Sequence, residues 1–235
     1  MSDAPHRRHQ RRPSAWHTTD LVEPDRWTMQ LTHEHRREII DATRHAGTVG
    51  GDPVEGDAAG GGRVDRSAFP LPTLGAEIDR WSEELAEGRG FVLVRGFPVD
   101  VLSPAEVEVA YLGVGAHLGV PVGQNRSGDV ITHIVDERLP EGTKNVRRYR
   151  TRLRQDFHTD GADIIGLLCL RGAKSGGVSR ICSSVYVYNE IVRRAPQLAP
   201  LAELPYHHHA HGQFGPNGPR TFQYPIVAKS DDVFR

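Results

Sequence analysis

The stretch Gln155–Ser184, QDFHTDGADIIGLLCLRGAKSGGVSRICSS, constrains the fold of this chain more than any other. Its centre, Asp163-Ile164-Ile165-Gly166-Leu167-Leu168-Cys169-Leu170, is a nearly continuous apolar run of strand length and reads as a buried strand. Ala173-Lys174-Ser175-Gly176-Gly177 reads as a turn, followed by Ser179 and a second short strand, Arg180-Ile181-Cys182. Ser183 and Ser184 are then candidate N-caps for a helix over Val185–Ala195, which Pro196 ends. Ahead of the apolar run stands His158-Thr159-Asp160. Residues two apart in an extended chain share a face, so this triplet sets an imidazole beside a carboxylate. Such a pair supplies two of the three ligands of the 2-His-1-carboxylate triad that holds ferrous iron with coordination positions left open. The same triplet also occurs in ordinary surface turns, and alone it decides nothing.

The chain before this stretch alternates helices and strands. Residues 1–15 are polar and basic and read as a disordered tail, with a nucleic-acid or partner-binding arm as the sharper alternative. Leu31 to Ala46 is a helix candidate with Thr32 as N-cap and a thin apolar face of Ile39, Ile40 and Ala42. Gly47–Gly62 reads as a Gly-rich linker. The folded body is expected to begin near Phe69, so that residues 1–66 are tail, weak helix and linker and residues 67–235 one domain. Leu74, Ile78, Trp81 and Leu85 recur at helical spacing, and Gly88 and Gly90 stop that helix. Phe91–Val94 reads as a strand. Ser103-Pro104-Ala105-Glu106 is a capping box with proline at the first helical position, opening a helix that carries Val107, Ala110, Tyr111, Val114 and Leu118 inward. Asp129–Val135 is a further strand candidate.

Val146–Arg154, VRRYRTRLR, places five arginines just ahead of the His-x-Asp triplet. They read either as solvated charges on an exposed strand or, Arg150 among them, as a fork for an anionic substrate. Downstream, Tyr206-His207-His208-His209-Ala210-His211 reads as a loop of solvated histidines, with a zinc site shared with His158 and Asp160 as the remote alternative. Thr221–Ala228 is strand-like.

A formal net charge of −1 provides no global attraction to nucleic acid or anionic membrane. No apolar run reaches the roughly 18 residues a membrane span needs, and the basic N-terminus has no apolar core of a secretory signal. Cys169 and Cys182, in neighbouring strand candidates, read as a buried pair of reduced thiols, and the expected compartment is the cytoplasm.

The order of ligand pair, buried strand, Gly-Gly-x-Ser turn, short strand and helix resembles the taurine dioxygenase-like (TauD/TfdA) family of Fe(II)/2-oxoglutarate oxygenases. GFVLVRGFPVD and the helix leading to HLGVPVGQN extend the resemblance over roughly residues 70–230. The resemblance implies an α+β, mainly β fold, a double-stranded β-helix (jelly roll) with flanking helices. It implies Fe(II) and 2-oxoglutarate as cofactor and co-substrate, O2 and a small molecule as partners, His158 and Asp160 as catalytic metal ligands, and Ser179 as a hydroxyl that binds 2-oxoglutarate. Gln124 and Asn125 fall where the family's chain runs toward the iron and are candidate substrate-binding residues, with a turn as the equal alternative. The family's distal histidine and its 2-oxoglutarate arginine have no counterpart here: histidines 207, 208, 209 and 211 come too early, and Arg220 and Arg235 are poor stand-ins. The expectation is therefore a jelly roll without its C-terminal strands, open to completion as a homo-oligomer. It acts either as a dioxygenase or as an inactive relic that serves, if at all, as a binding domain.

Overall fold

The computed structural model of the chain describes residues 12–49, 64–124, 128–138, 148–209, 221–228 and 234. Its first half is a helical layer joined to a small parallel ladder. Strand β1 (Thr28–Gln30) leads into helix α1 (His33–Val49). Helix α2 (Leu74–Ala86) then precedes strand β2 (Leu93–Arg95), and helix α3 (Pro104–Gly115) follows. β1 and β2 pair in parallel, Thr28 opposite Leu93 and Gln30 opposite Arg95. A parallel pair requires a crossover, and α1 and α2 lie within it.

Each helix starts for a local reason. Thr32 caps α1 by accepting the amide of His35 at 3.1 Å, the role its position predicts. In α3 the predicted capping box is complete: Ser103 accepts from the Glu106 amide, and the Glu106 carboxylate accepts from the Ser103 amide at 2.8 Å. α2 is different. Its own Thr73 side chain caps nothing; Glu38 of α1 accepts the Thr73 and Leu74 amides at 2.9 and 3.0 Å. A carboxylate at the positive end of the helix dipole thus joins two helices.

The core between these helices is built from Ile39, Phe69, Leu74, Ile78 and Ala110, all fully buried, with Leu31, Trp81 and Val107 around them. α1 therefore belongs to the folded body. The sequence makes its apolar face look thin, yet Ile39 and Ala42 are deeply buried, and Arg36 donates to the Gly96 carbonyl at 2.7 Å and pairs with Asp100. Packing begins well upstream of Phe69, because the parallel ladder draws β1 and α1 onto the later helices.

A second, smaller cluster forms around helix α4 (Ser184–Arg194) and the short helix α5 (Ala199–Ala202). Tyr188, Ala199, Ala202 and Val227 are its buried members, and the Tyr188 hydroxyl donates to Glu203 at 2.5 Å. Strands β3 (Pro205–His209) and β4 (Thr221–Pro225) pair antiparallel, from Pro205–Pro225 to His209–Thr221. The predicted C-terminal strand is present in β4. The histidine run, expected as a loop, is its ladder partner instead, since antiparallel pairing satisfies its backbone.

Three other predicted strands do not form ladders. Asp129–Val135, Asp163–Leu170 and Arg180–Cys182 carry no strand pairing, and regular structure among the described residues is mostly helical rather than mainly β. The reason is physical: an extended segment becomes a strand only when a neighbour takes up its N–H and C=O groups. No such neighbour stands beside these segments among the described residues. Leu167, Leu170 and Ile181 are consequently exposed, and so are Cys169 and Cys182, the opposite of the buried thiol pair expected. The Asp163–Leu170 segment is still anchored at two points. Leu168 packs on the helical core, and Gly166 sits against the Tyr111 hydroxyl of α3, where a Cβ would overlap it. Burial raises the Tyr111 pKa above its ordinary value.

Candidate functional site

His158 and Asp160 come together as their spacing predicts. His158 Nε2 lies 3.9 Å from Asp160 Oδ1. On its other side, His158 Nδ1 is 2.8 Å from the carbonyl oxygen of Asp156. A carbonyl can only accept, so this contact puts a proton on Nδ1, and Nε2 is the nitrogen that faces Asp160. Metal-binding histidines are oriented in this way by a hydrogen bond to the nitrogen that does not ligate. Both side chains are about half exposed, 52% and 57%, so an ion and its small-molecule ligands can reach them from solvent.

The donor set suits ferrous iron: one imidazole and one carboxylate, with solvent access for the rest. Two ligands at right angles on one ion, with bonds of about 2.1 Å, stand about 3 Å apart, so modest side-chain rotation closes the observed gap. Among the described residues no group of three or more His, Cys, Asp or Glu side chains gathers at any point. The histidine cluster does not join the pair: His207 contacts Gln223, while His208 stacks on Phe222 at 5.5 Å and meets the Tyr224 carbonyl. His211, Arg220 and Arg235 lie outside the described residues.

The remaining predicted residues are spread out. Ser179 is exposed and follows Gly176 and Gly177, whose φ angles of +73° and +66° confirm a turn that glycine is suited to make. Gln124 makes local bonds, its side chain donating to the Val122 carbonyl at 3.0 Å and its amide to the Asp129 carbonyl at 2.6 Å, which is the turn reading of that residue. Asn125 lies outside the described residues. Arg150 holds a carboxylate, but an internal one. Its Nε and Nη2 grip the two oxygens of Glu137 at 2.7 and 2.5 Å, and the Glu137 amide donates to the Arg150 carbonyl at 3.0 Å. The hydrogen bond from Arg150, with its charge, lowers the Glu137 pKa and raises that of the arginine.

Sequence reasoning missed the N-terminal residues that brace the segment after Ser179. Ser183 caps α4 by accepting the Tyr186 amide at 2.9 Å and also donates to the Ser14 carbonyl at 2.5 Å. A backbone acceptor far away in sequence leaves no side-chain pattern by which to find it.

Comparison with known proteins assigns the chain to a family. The profile of the taurine catabolism dioxygenase TauD, TfdA family matches residues 53–233. The chain belongs to that family. It is 34% identical over 191 residues to FR-33289 synthase of Streptomyces rubellomurinus, a match that covers 80% of this chain and 53% of the relative. It is 30% identical over 146 residues to the taurine hydroxylase-like protein SAT17 of Stachybotrys chartarum, covering 58% of this chain and 37% of that protein. The chain thus spans about half or less of the length of the curated relatives it matches. Family membership supports an oxygenase. No helix among the described residues is long and apolar enough to cross a membrane.

Proposed function

We propose that the chain carries the iron-binding half of an Fe(II)/2-oxoglutarate-dependent dioxygenase that hydroxylates a small molecule. The observation that carries this reading is the His158–Asp160 pair, with the imidazole held through Nδ1 by the Asp156 carbonyl and its Nε2 3.9 Å from Asp160 Oδ1. Bound iron with 2-oxoglutarate supplies the oxidising chemistry: one oxygen atom of O2 goes to the substrate and the other to succinate, with loss of carbon dioxide. The protein's part is binding and orientation. His158 and Asp160 hold the ion, and the Asp156 carbonyl keeps the imidazole in the ligating tautomer. Ser179, presented by the Gly176–Gly177 turn, hydrogen-bonds the distal carboxylate of 2-oxoglutarate. Arg150 serves an anionic substrate only after Glu137 has been displaced from its guanidinium. A jelly roll, the fold that family membership implies, is the frame in which these parts converge.

The relic reading rests on a specific observation too: no third donor joins the pair among the described residues. One experiment decides between them. Anaerobic titration with Fe(II) and 2-oxoglutarate should give a weak visible metal-to-ligand charge-transfer band, and Asp160→Ala should abolish it. Folded protein that shows no band, or a band indifferent to Asp160→Ala, sinks the dioxygenase reading.

A further inference from the structure

The segment Arg12–His17 takes in the last four residues of the stretch 1–15 that reads as a disordered tail, together with Trp16 and His17. In the structure it spans two distant parts of the chain. The Ala15 amide donates to the Arg12 carbonyl at 2.9 Å, closing a turn that presents the Ser14 carbonyl to the Ser183 hydroxyl. Trp16 reaches the opposite way. Its indole N–H donates to the Arg89 carbonyl at 2.9 Å, and its ring meets Phe91 edge-on at 5.3 Å. Phe91 is contacted from a second side by Trp27 at 5.8 Å. His17 then lies 5.3 Å from the ring of Tyr186, in the first turn of α4. One short stretch thus touches the Ser183 cap, the first turn of α4, and the loop between α2 and β2.

We propose that Arg12–His17 is a strap that fixes the start of α4 to the helical body and, through Ser183, restrains the turn that carries Ser179. Ser183 is the joint. It is buried, and its single hydroxyl both accepts from Tyr186 and donates to Ser14, so the cap and the strap orient each other. Three residues separate Ser183 from Ser179, too few for the turn to move freely while the joint is held. The extended residues between them have no ladder partner among the described residues, so the strap is their nearest constraint on the C-terminal side. Removal of the strap, by proteolysis or by a partner that binds the N-terminus, would loosen that turn without unfolding the core.

The test is hydrogen exchange of the full chain against two variants. Deletion of residues 2–15, which joins Met1 to Trp16 and leaves no carbonyl at the position of Ser14, removes that acceptor and leaves the Ser183–Tyr186 cap in place. Trp16→Ala leaves the acceptor and removes the anchor on Arg89 and Phe91. Both should speed exchange of peptides covering 176–188 by about fivefold, the factor a single net hydrogen bond of about 1 kcal/mol supplies. Exchange in α1 and α3 should stay unchanged. Unaltered exchange over 176–188 in both variants overturns the proposal. So does faster exchange throughout α1–α3, which would make the segment part of the core rather than a strap. The significance of the strap for 2-oxoglutarate rests on the proposed function, but the exchange readout does not. A parent chain without the visible band would defeat that function and leave the strap standing.

Discussion

Gly113 in α3 faces Phe69, and replacing it with alanine tests the helical body on which the candidate site rests. A Cβ at this position would meet three ring carbons of Phe69, the farthest of them only 2.5 Å away. Contacts below 3.0 Å do not occur, so either the ring or the helix has to move. Phe69 is fully buried and cannot swing into solvent. Overpacking of a core costs about 3 kcal/mol at the upper end of its usual range. Alanine recovers about 1 kcal/mol of helix propensity at an interior position. The net expectation for Gly113→Ala is a loss of about 2 kcal/mol. With a urea m-value of about 2 kcal/mol/M, the unfolding midpoint should fall by about 1 M. Gly115, two residues on and at the end of the same helix, is the internal control. Nothing lies within 4 Å of its Cβ position, so Gly115→Ala should be neutral or stabilising by a few tenths of a kcal/mol. A Gly113→Ala midpoint equal to the parent's, or a larger loss at Gly115, would mean that Phe69 does not pack against α3.

Four shorter tests bear on other joints. Ser103→Ala should cost about 1 kcal/mol in urea unfolding, since it removes one half of the α3 capping box; no loss would deny the cap. Gly166→Ala should release the 163–170 segment, because the new Cβ would overlap the Tyr111 hydroxyl; hydrogen exchange there that matches the parent would deny the contact. Glu190 is held down to about 2, first by its hydrogen bond from Arg193 and then by Arg194. A depressed carboxylate stabilises the fold at pH above its unfolded value and loses that contribution as pH falls toward about 2. An NMR titration of the Glu190 carboxyl with its midpoint near the ordinary glutamate value of 4.5 would dismiss the pairing. Cys169 and Cys182 are both exposed and free, so a thiol reagent should label both in native protein at rates near those in urea. Labelling only after unfolding would restore the buried pair.

What was legible in the sequence was what local chemistry fixes. The α3 capping box, the Thr32 cap and the Leu74–Ile78–Trp81 face appear where their spacing placed them, because each is decided within a few residues. Arrangements made across the chain were not legible. Glu38 caps a helix that is not its own, and no pattern around Thr73 announces it. The strap depends on a backbone carbonyl, which every residue has. β-branched and apolar content at 129–135 and 163–170 signals strand, but a ladder also needs a partner, and that is not a property of the segment itself.

The same division runs through the candidate site. His158 is oriented by Asp156 and faces Asp160, so the whole ligand pair is specified within five consecutive residues. It can therefore form without a closed sheet around it. Ser179 is different, since its direction depends on the turn at Gly176 and Gly177 and on the hold that Ser14 has on Ser183. Arg150 depends on Glu137, which competes for the same bidentate geometry that a substrate carboxylate would use. Metal binding should then be the more robust property and co-substrate binding the more fragile. Strap variants ought to weaken the 2-oxoglutarate response while leaving binding of Fe(II) alone intact. Asp160→Ala ought to remove both. An Fe(II) affinity that falls in parallel with 2-oxoglutarate affinity on deletion of residues 2–15 would show that the pair is not locally determined, and the geometry at Asp156 would lose its explanatory weight.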